Sequence, residues 1–141
     1  MKILIPVDGS KPSINAVKYV VGLVRNLRSK CAVTLISVHD DAGLNHVRRF
    51  VSKDQIDDYL RELSDKQIKP AQKVLNEADV LHSAVIKRGN VAEEIVALAK
   101  KEKFDLIVMG TKGRGGLMDA LVGSVAQRVV GAAKQPVVLV K

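Results

Sequence analysis

Short apolar runs alternate along this chain with segments in which apolar residues return every three or four positions. Lys2 to Val7 is a compact apolar run closed by Asp8-Gly9-Ser10, the pattern of a buried strand ending in a turn. From Ile14 onward Val17, Val20, Val21, Val24 and Leu27 follow helical spacing, with Ser10 as a cap and Pro12 in the first turn, where its missing N–H does no harm. Ala32 to Val38 is β-branched and continuous enough for a second buried strand, and His39-Asp40-Asp41 reads as a loop after it. Ile56, Leu60, Leu63, Ile68, Ala71, Leu75 and Ala78 outline one face of a long helix between Asp54 and Ala78, which Pro70 is expected to kink or interrupt. The segment Asp40 to Lys53 ahead of it has no recognisable pattern.

Leu81 to Ile86 reads as a third strand, ending at Lys87-Arg88-Gly89. Asn90 with Glu93 three residues on resembles a capping box, and Val91, Ile95, Leu98 and Ala99 give the next helix its buried stripe. A fourth strand at Leu106 to Met109, a glycine-rich loop, a helix from Val125 to Ala133 and a fifth strand at Pro136 to Val140 complete the series. Strict β-α alternation requires crossover connections, which are right-handed in nearly all sheets and give parallel strands covered on both faces. The fold class is therefore α/β, a doubly wound parallel sheet in one domain spanning residues 1 to 141. In such sheets ligands bind outside the carboxyl ends of the strands, where the strand order reverses.

Composition narrows the function classes. Apolar residues make up 47% and charged residues 27% of the 141, which argues against disorder, and with 3% aromatics the core must be built from Val, Ile, Leu and Ala. No apolar run approaches the ~20 residues of a membrane helix, and the apolar stretch at the amino terminus is too short for a signal peptide, so a cytoplasmic location is expected. The one cysteine, Cys31, reads as a small residue entering a buried strand, and no Cys/His spacing suggests a metal site. The net charge of +8 suits an anionic partner, yet Lys66, Lys69, Lys73, Lys100, Lys101 and Lys103 read as solvating helical faces.

The loop after the fourth strand carries the chemistry. It runs Gly110-Thr-Lys-Gly113-Arg-Gly115-Gly116 and on to Gly123-Ser124 before a helix opens at Val125. Glycines between a strand and a helix let backbone amides approach a phosphate, and the helix start favours negative charge. Glycines also serve ordinary turns, and Ser124 is either a hydroxyl donor or a helix cap, so the loop by itself leaves both uses open. Walker, dinucleotide, kinase and nucleophile-elbow patterns are absent. The spacing Gly-x2-Gly-x9-Gly-Ser at Gly110, Gly113, Gly123 and Ser124 is similar to the ATP-binding motif of the universal stress protein family. The resemblance extends along the chain: Ile-Leu-Ile-Pro-Val-Asp8-Gly9-Ser10 looks like the family's opening, Asp105 to Gly110 its fourth strand and Gln135 to Val140 its closing strand.

This resemblance implies a five-stranded sheet in the order 3-2-1-4-5 and a site at the reversal between strands one and four. It implies that Pro6, Val7 and Asp8 line the base and ribose, with Asp8 accepting from a ribose hydroxyl or helping to hold a metal. Val38 would pair its backbone with adenine, Met109 and Gly110 would lie beneath the ribose, and Gly113, Gly123, Ser124 and Val125 would receive the phosphates. The cofactor implied is ATP with magnesium or manganese, and the assembly implied is a homodimer through the edge of Pro136 to Val140. Lys112 and Arg114 offer charge to phosphates, and Gly89 matches a family glycine near the adenine pocket. The segment Asp40 to Lys53 and the pair Asn90-Val91 depart from the family pattern.

No catalytic residue stands out. His39, His46 and His82 are scattered, only His39 is expected in a loop facing the site, and no dedicated base is present, which leaves at most a slow ATPase. A phosphoacceptor switch needs an aspartate where the third strand ends in Lys87-Arg88-Gly89. The alternative to an ATP-binding regulatory protein is a basic nucleic-acid-associated or nucleotide-independent interaction module. With two Phe, two Tyr and no Trp to stack on bases, no specific nucleic-acid partner is expected, and no membrane partner either.

Overall fold

The computed structural model describes residues 1–40, 42, 44, 46–113 and 121–141. Among them lie nine elements in strict alternation: β1 (Lys2–Pro6), α1 (Lys11–Asn26), β2 (Ala32–His39), α2 (Lys53–Glu77), β3 (His82–Arg88), α3 (Val91–Lys101), β4 (Leu106–Gly110), α4 (Ser124–Ala132) and β5 (Val137–Val140). The five strands form one parallel sheet in the order β3-β2-β1-β4-β5, as the family resemblance implied.

The two-residue period of the strands decides which helices each side chain meets. Ile3, Ile5, Val33, Leu35 and Val108 face α1 and α2, whose Val17, Val20, Ile68, Ala71 and Leu75 close that layer. Leu4, Ile36, Ile107 and Met109 face the other way, against Ile95, Leu98 and Ala99 of α3 and Ala126 and Val129 of α4. Two aliphatic cores thus sandwich the sheet, and aromatics contribute only Phe104.

Caps fix where the helices begin. Ser10 Oγ accepts from the Ser13 amide, and Asn90 Oδ1 from the Glu93 amide. Ser52 and Gln55 exchange bonds in a full capping box at the start of α2, which was hidden in the segment without pattern. Pro70 does not interrupt α2. It sits on the exposed side, while the buried residues Ile68 and Ala71 on either side of it continue one stripe against the sheet.

Strands β2 and β3 both run further than expected, because His39 pairs with Arg88 after Val38 pairs with Lys87. His39 is therefore not a loop residue facing the crevice. It is the last residue of β2, buried against α2, where its Nε2 meets Ser64 Oγ. Ser64 Oγ donates to the Leu60 carbonyl at 2.7 Å and so accepts from His39, which fixes the neutral ring with its proton on Nε2. Two residues earlier Ser37 Oγ donates to Gln67 Oε1 at 2.9 Å, so a pair of buried polar rungs sets the register of α2 on β2.

Burial, aided by the nearby Arg88 charge, holds the His39 pKa below its ordinary 6.5. The unfolded chain then takes up a proton that the folded chain resists. The contribution of His39 is intact above pH 6.5 and is lost as pH falls from there through the lower folded value. Urea unfolding at a series of pH values should show wild type losing stability on acidification faster than His39→Gln, by at most about 1.4 kcal/mol per pH unit. Parallel curves for the two would show that His39 does not titrate differently on folding.

Candidate functional site

The sheet opens where its winding reverses. β1 pairs with β2 as far as Pro6 with Ile36, but with β4 only at Ile3 with Leu106 and Leu4 with Ile107. The Val7 amide donates toward β2, to the Ile36 carbonyl at 2.9 Å, so the preceding residue faces β4. Proline there has no N–H to give, and the strands part. α1 leaves this point on one face of the sheet and α4 on the other, and a crevice of about 480 Å³ lies between.

The ten residues to which the resemblance assigns base, ribose or phosphate contacts line this one cavity: Pro6, Val7, Asp8, Val38, Met109, Gly110, Gly113, Gly123, Ser124 and Val125. One end is aliphatic, walled by Ile36, Val38, Val91, Ile95 and Met109. The other end is made by the loop after β4 and the first turn of α4. Asp8 stands at the β1–α1 turn, where its Oδ1 accepts from the Ser10 amide at 2.9 Å.

Backbone bonds join the two described ends of the loop. The Thr111 amide donates to the Val140 carbonyl at 2.8 Å, and the Gly123 amide returns to the Thr111 carbonyl at 2.6 Å, which brings the two ends of the glycine motif together. Gly123 is the N-cap of α4 and carries no capping side chain, so Ser124 lies inside the helix and its hydroxyl is not used as the cap. The Gln127 amide donates to the Gly123 carbonyl, and the amides of Ser124, Val125 and Ala126 belong to the first turn, where no intrahelical acceptor exists. No acidic residue occupies that turn, so it presents partial positive charge to the crevice.

The glycines have separate reasons. A Cβ on Gly113 would lie 2.7 Å from Asp8 Oδ2, so the absence of a side chain lets the Asp8 carboxylate reach the loop. Gly89, by contrast, sits at φ +135° beyond the end of β3 and does not line the crevice; its backbone conformation is what requires glycine. Arg114, expected to offer charge to phosphates, lies outside the described residues, whereas Lys112 lines the cavity.

Several lining residues were not singled out. Ile36, Val91 and Ile95 read as core from their spacing, Ser13 reads as an ordinary first-turn residue, and Thr111 and Gln127 carry no motif of their own. Among the described residues no group of three or more His, Cys, Asp or Glu gathers to hold a metal, and no helix is long and apolar enough to cross a membrane.

Residues 1–141 match the model of the Universal stress protein family from end to end. The chain belongs to the universal stress protein family. A universal stress protein of Methanocaldococcus jannaschii is 37% identical over 141 residues, covering 99% of this chain and 81% of that one. A second universal stress protein of the same archaeon, 30% identical, has a solved structure that superimposes with a TM-score of 0.86 over 99% of this chain and 94% of that one. The universal stress protein of Archaeoglobus fulgidus, solved in complex with dAMP, is 21% identical and shares the fold, with a TM-score of 0.67 over 100% of this chain and 98% of that one. The family's five-stranded sheet, with its order 3-2-1-4-5, is the one described above.

Proposed function

We propose that this member of the universal stress protein family binds ATP in the crevice between the carboxyl ends of β1 and β4, and that the bound nucleotide regulates its association with partners. The observation that carries this reading is the division of the cavity, with an aliphatic slot at one end and the amide-rich first turn of α4 at the other. A purine is flat and apolar on both faces, and a triphosphate is a chain of anions. Those requirements match the two ends in turn. The dAMP complex of the Archaeoglobus fulgidus protein adds support for an adenine nucleotide.

In this reading Ile36 and Val38 border the base, Pro6 and Val7 line base and ribose, Met109 and Gly110 lie beneath the ribose, and Gly113, Gly123, Ser124 and Val125 receive the phosphates. Asp8 is the one carboxylate lining the cavity among the described residues. A magnesium or manganese ion would take most of its oxygens from phosphate and water, with Asp8 as the protein ligand, and would neutralise phosphate charge.

Calorimetric titration with ATP and magnesium tests the assignment. Ser124→Ala should remove a charge-assisted hydrogen bond of about 1.5–3 kcal/mol, a roughly ten- to hundredfold loss of affinity. Asp8→Ala should also weaken binding, while Lys66→Ala, on the exposed side of α2, should leave it unchanged. Saturation that is absent in wild type at millimolar ATP would defeat the proposal.

We further propose a homodimer through β5. This strand is an edge of the sheet, its four residues are only half-buried, and Val130 on α4 stands 49% exposed. Sedimentation at micromolar concentration should give twice the chain mass; a monomer with and without ATP would refute it.

A further inference from the structure

A second cavity, of about 430 Å³, lies at the start of α2 and the end of β3. Its walls are Arg48, Val51, Lys53, Ile56 and Arg88: three cations and two aliphatic side chains, with no carboxylate in the lining among the described residues. Three like charges around one space repel one another, and an anion within it relieves that repulsion. The two guanidinium groups bring planar, multi-donor heads suited to phosphate oxygens.

One of these heads is anchored. Arg88 Nη1 donates to Asp57 Oδ1 at 2.8 Å, tying the end of β3 to the second turn of α2. Arg48 and Lys53 have no ion-pair partner among the described residues, and Lys53 opens α2, where the helix start adds partial positive charge. Asp54, in the same first turn, is exposed. Val51 and Ile56 add an apolar wall that inorganic phosphate would not use.

We propose that this cavity is a second ligand site, taking a small phosphorylated metabolite whose phosphate meets Arg48, Lys53 and Arg88 and whose carbon portion lies on Val51 and Ile56. The site shares no lining residue with the crevice, and the proposal does not depend on ATP binding. It has a built-in reporter, because Arg88 acts on the His39 ring beside it. An anion next to Arg88 offsets that charge and lets the His39 pKa return toward its ordinary value.

The test is NMR titration of the full chain, at constant ionic strength, with inorganic phosphate and with butyl phosphate. Butyl phosphate should shift the amides around Lys53 and Gly89, bind at least fivefold more tightly than inorganic phosphate, and raise the His39 pKa. The double variant Arg48→Gln with Lys53→Gln should weaken it at least tenfold. Lys66→Gln with Lys69→Gln, an equal loss of charge at exposed positions of α2, should leave it unchanged. Shifts confined to Ser124 to Ala126, equal affinity for the two phosphates, equal weakening by both double variants, or tighter binding of a single-stranded DNA oligomer at these residues would each overturn the proposal.

Discussion

Valine at Gly123 is expected to abolish ATP binding while the fold persists. A Cβ at this position would lie 3.3 Å from the Thr111 carbonyl oxygen and 3.4 Å from Lys112 Cα, both backbone atoms of the loop that faces it. Those distances are tight for Cβ, and the two γ-methyl groups of valine reach further. The loop would have to retreat, and the 2.6 Å bond from the Gly123 amide to Thr111 would lengthen with it. Because that bond holds the glycine loop against the first turn of α4, the amides meant to receive phosphate would separate. A site needs its donors within about 0.5 Å of the productive geometry, so a loss beyond roughly a hundredfold is expected. The backbone itself tolerates valine, since φ −70° and ψ 162° lie in the extended region that β-branched residues favour. Gly123→Ala should give an intermediate loss. Calorimetry with ATP, beside thermal melting of each variant, separates the two effects; a folded valine variant that binds like wild type would remove Gly123 from the site.

The largest effect on stability should come from Gly110→Ala. A Cβ there would stand 2.7 Å from Pro12 Cβ and 2.8 Å from the Pro12 carbonyl carbon. Neither neighbour can swing aside, because one is a ring atom and the other is backbone in the first turn of α1. The end of β4 and the start of α1 would have to part, the kind of overpacking that costs about 1–3 kcal/mol. The melting temperature should fall by about 4–10 °C. Gly131 is the control: it lies inside α4, and a methyl group added there would meet nothing within 4 Å, so Gly131→Ala should stabilise by roughly 0.5–1 kcal/mol. If both substitutions moved the melting temperature equally, close packing at Pro12 would not be the reason for Gly110.

Local pattern was enough for most of the architecture. Alternation of apolar runs with helical spacing specified the parallel α/β sheet, and the caps at Ser10 and Asn90 fell where short-range chemistry puts them. The family motif supplied the strand order, which periodicity cannot give. It also picked out ten residues that meet in one crevice, from the ends of β1, β2 and β4 and the start of α4. Information of this kind is written in neighbours along the chain, because turns, caps and periodic faces each span only a few residues.

Contacts between distant segments decided the rest. His39 looked like a loop residue because Asp40 and Asp41 follow it, yet pairing with Arg88 extends β2 by one residue and turns the ring onto Ser64. Ser64 and Gln67 interrupt an apolar stripe by sequence, and only their partners on β2 make them buried. Pro70 was expected to interrupt α2, and packing of the residues beside it kept the helix whole. Ile36, Val91 and Ile95 carry the same signature whether they fill a core or wall a cavity. Hydrophobic pattern reports that a side chain leaves water, whereas the space it then borders depends on segments far away along the chain that only the folded protein brings together.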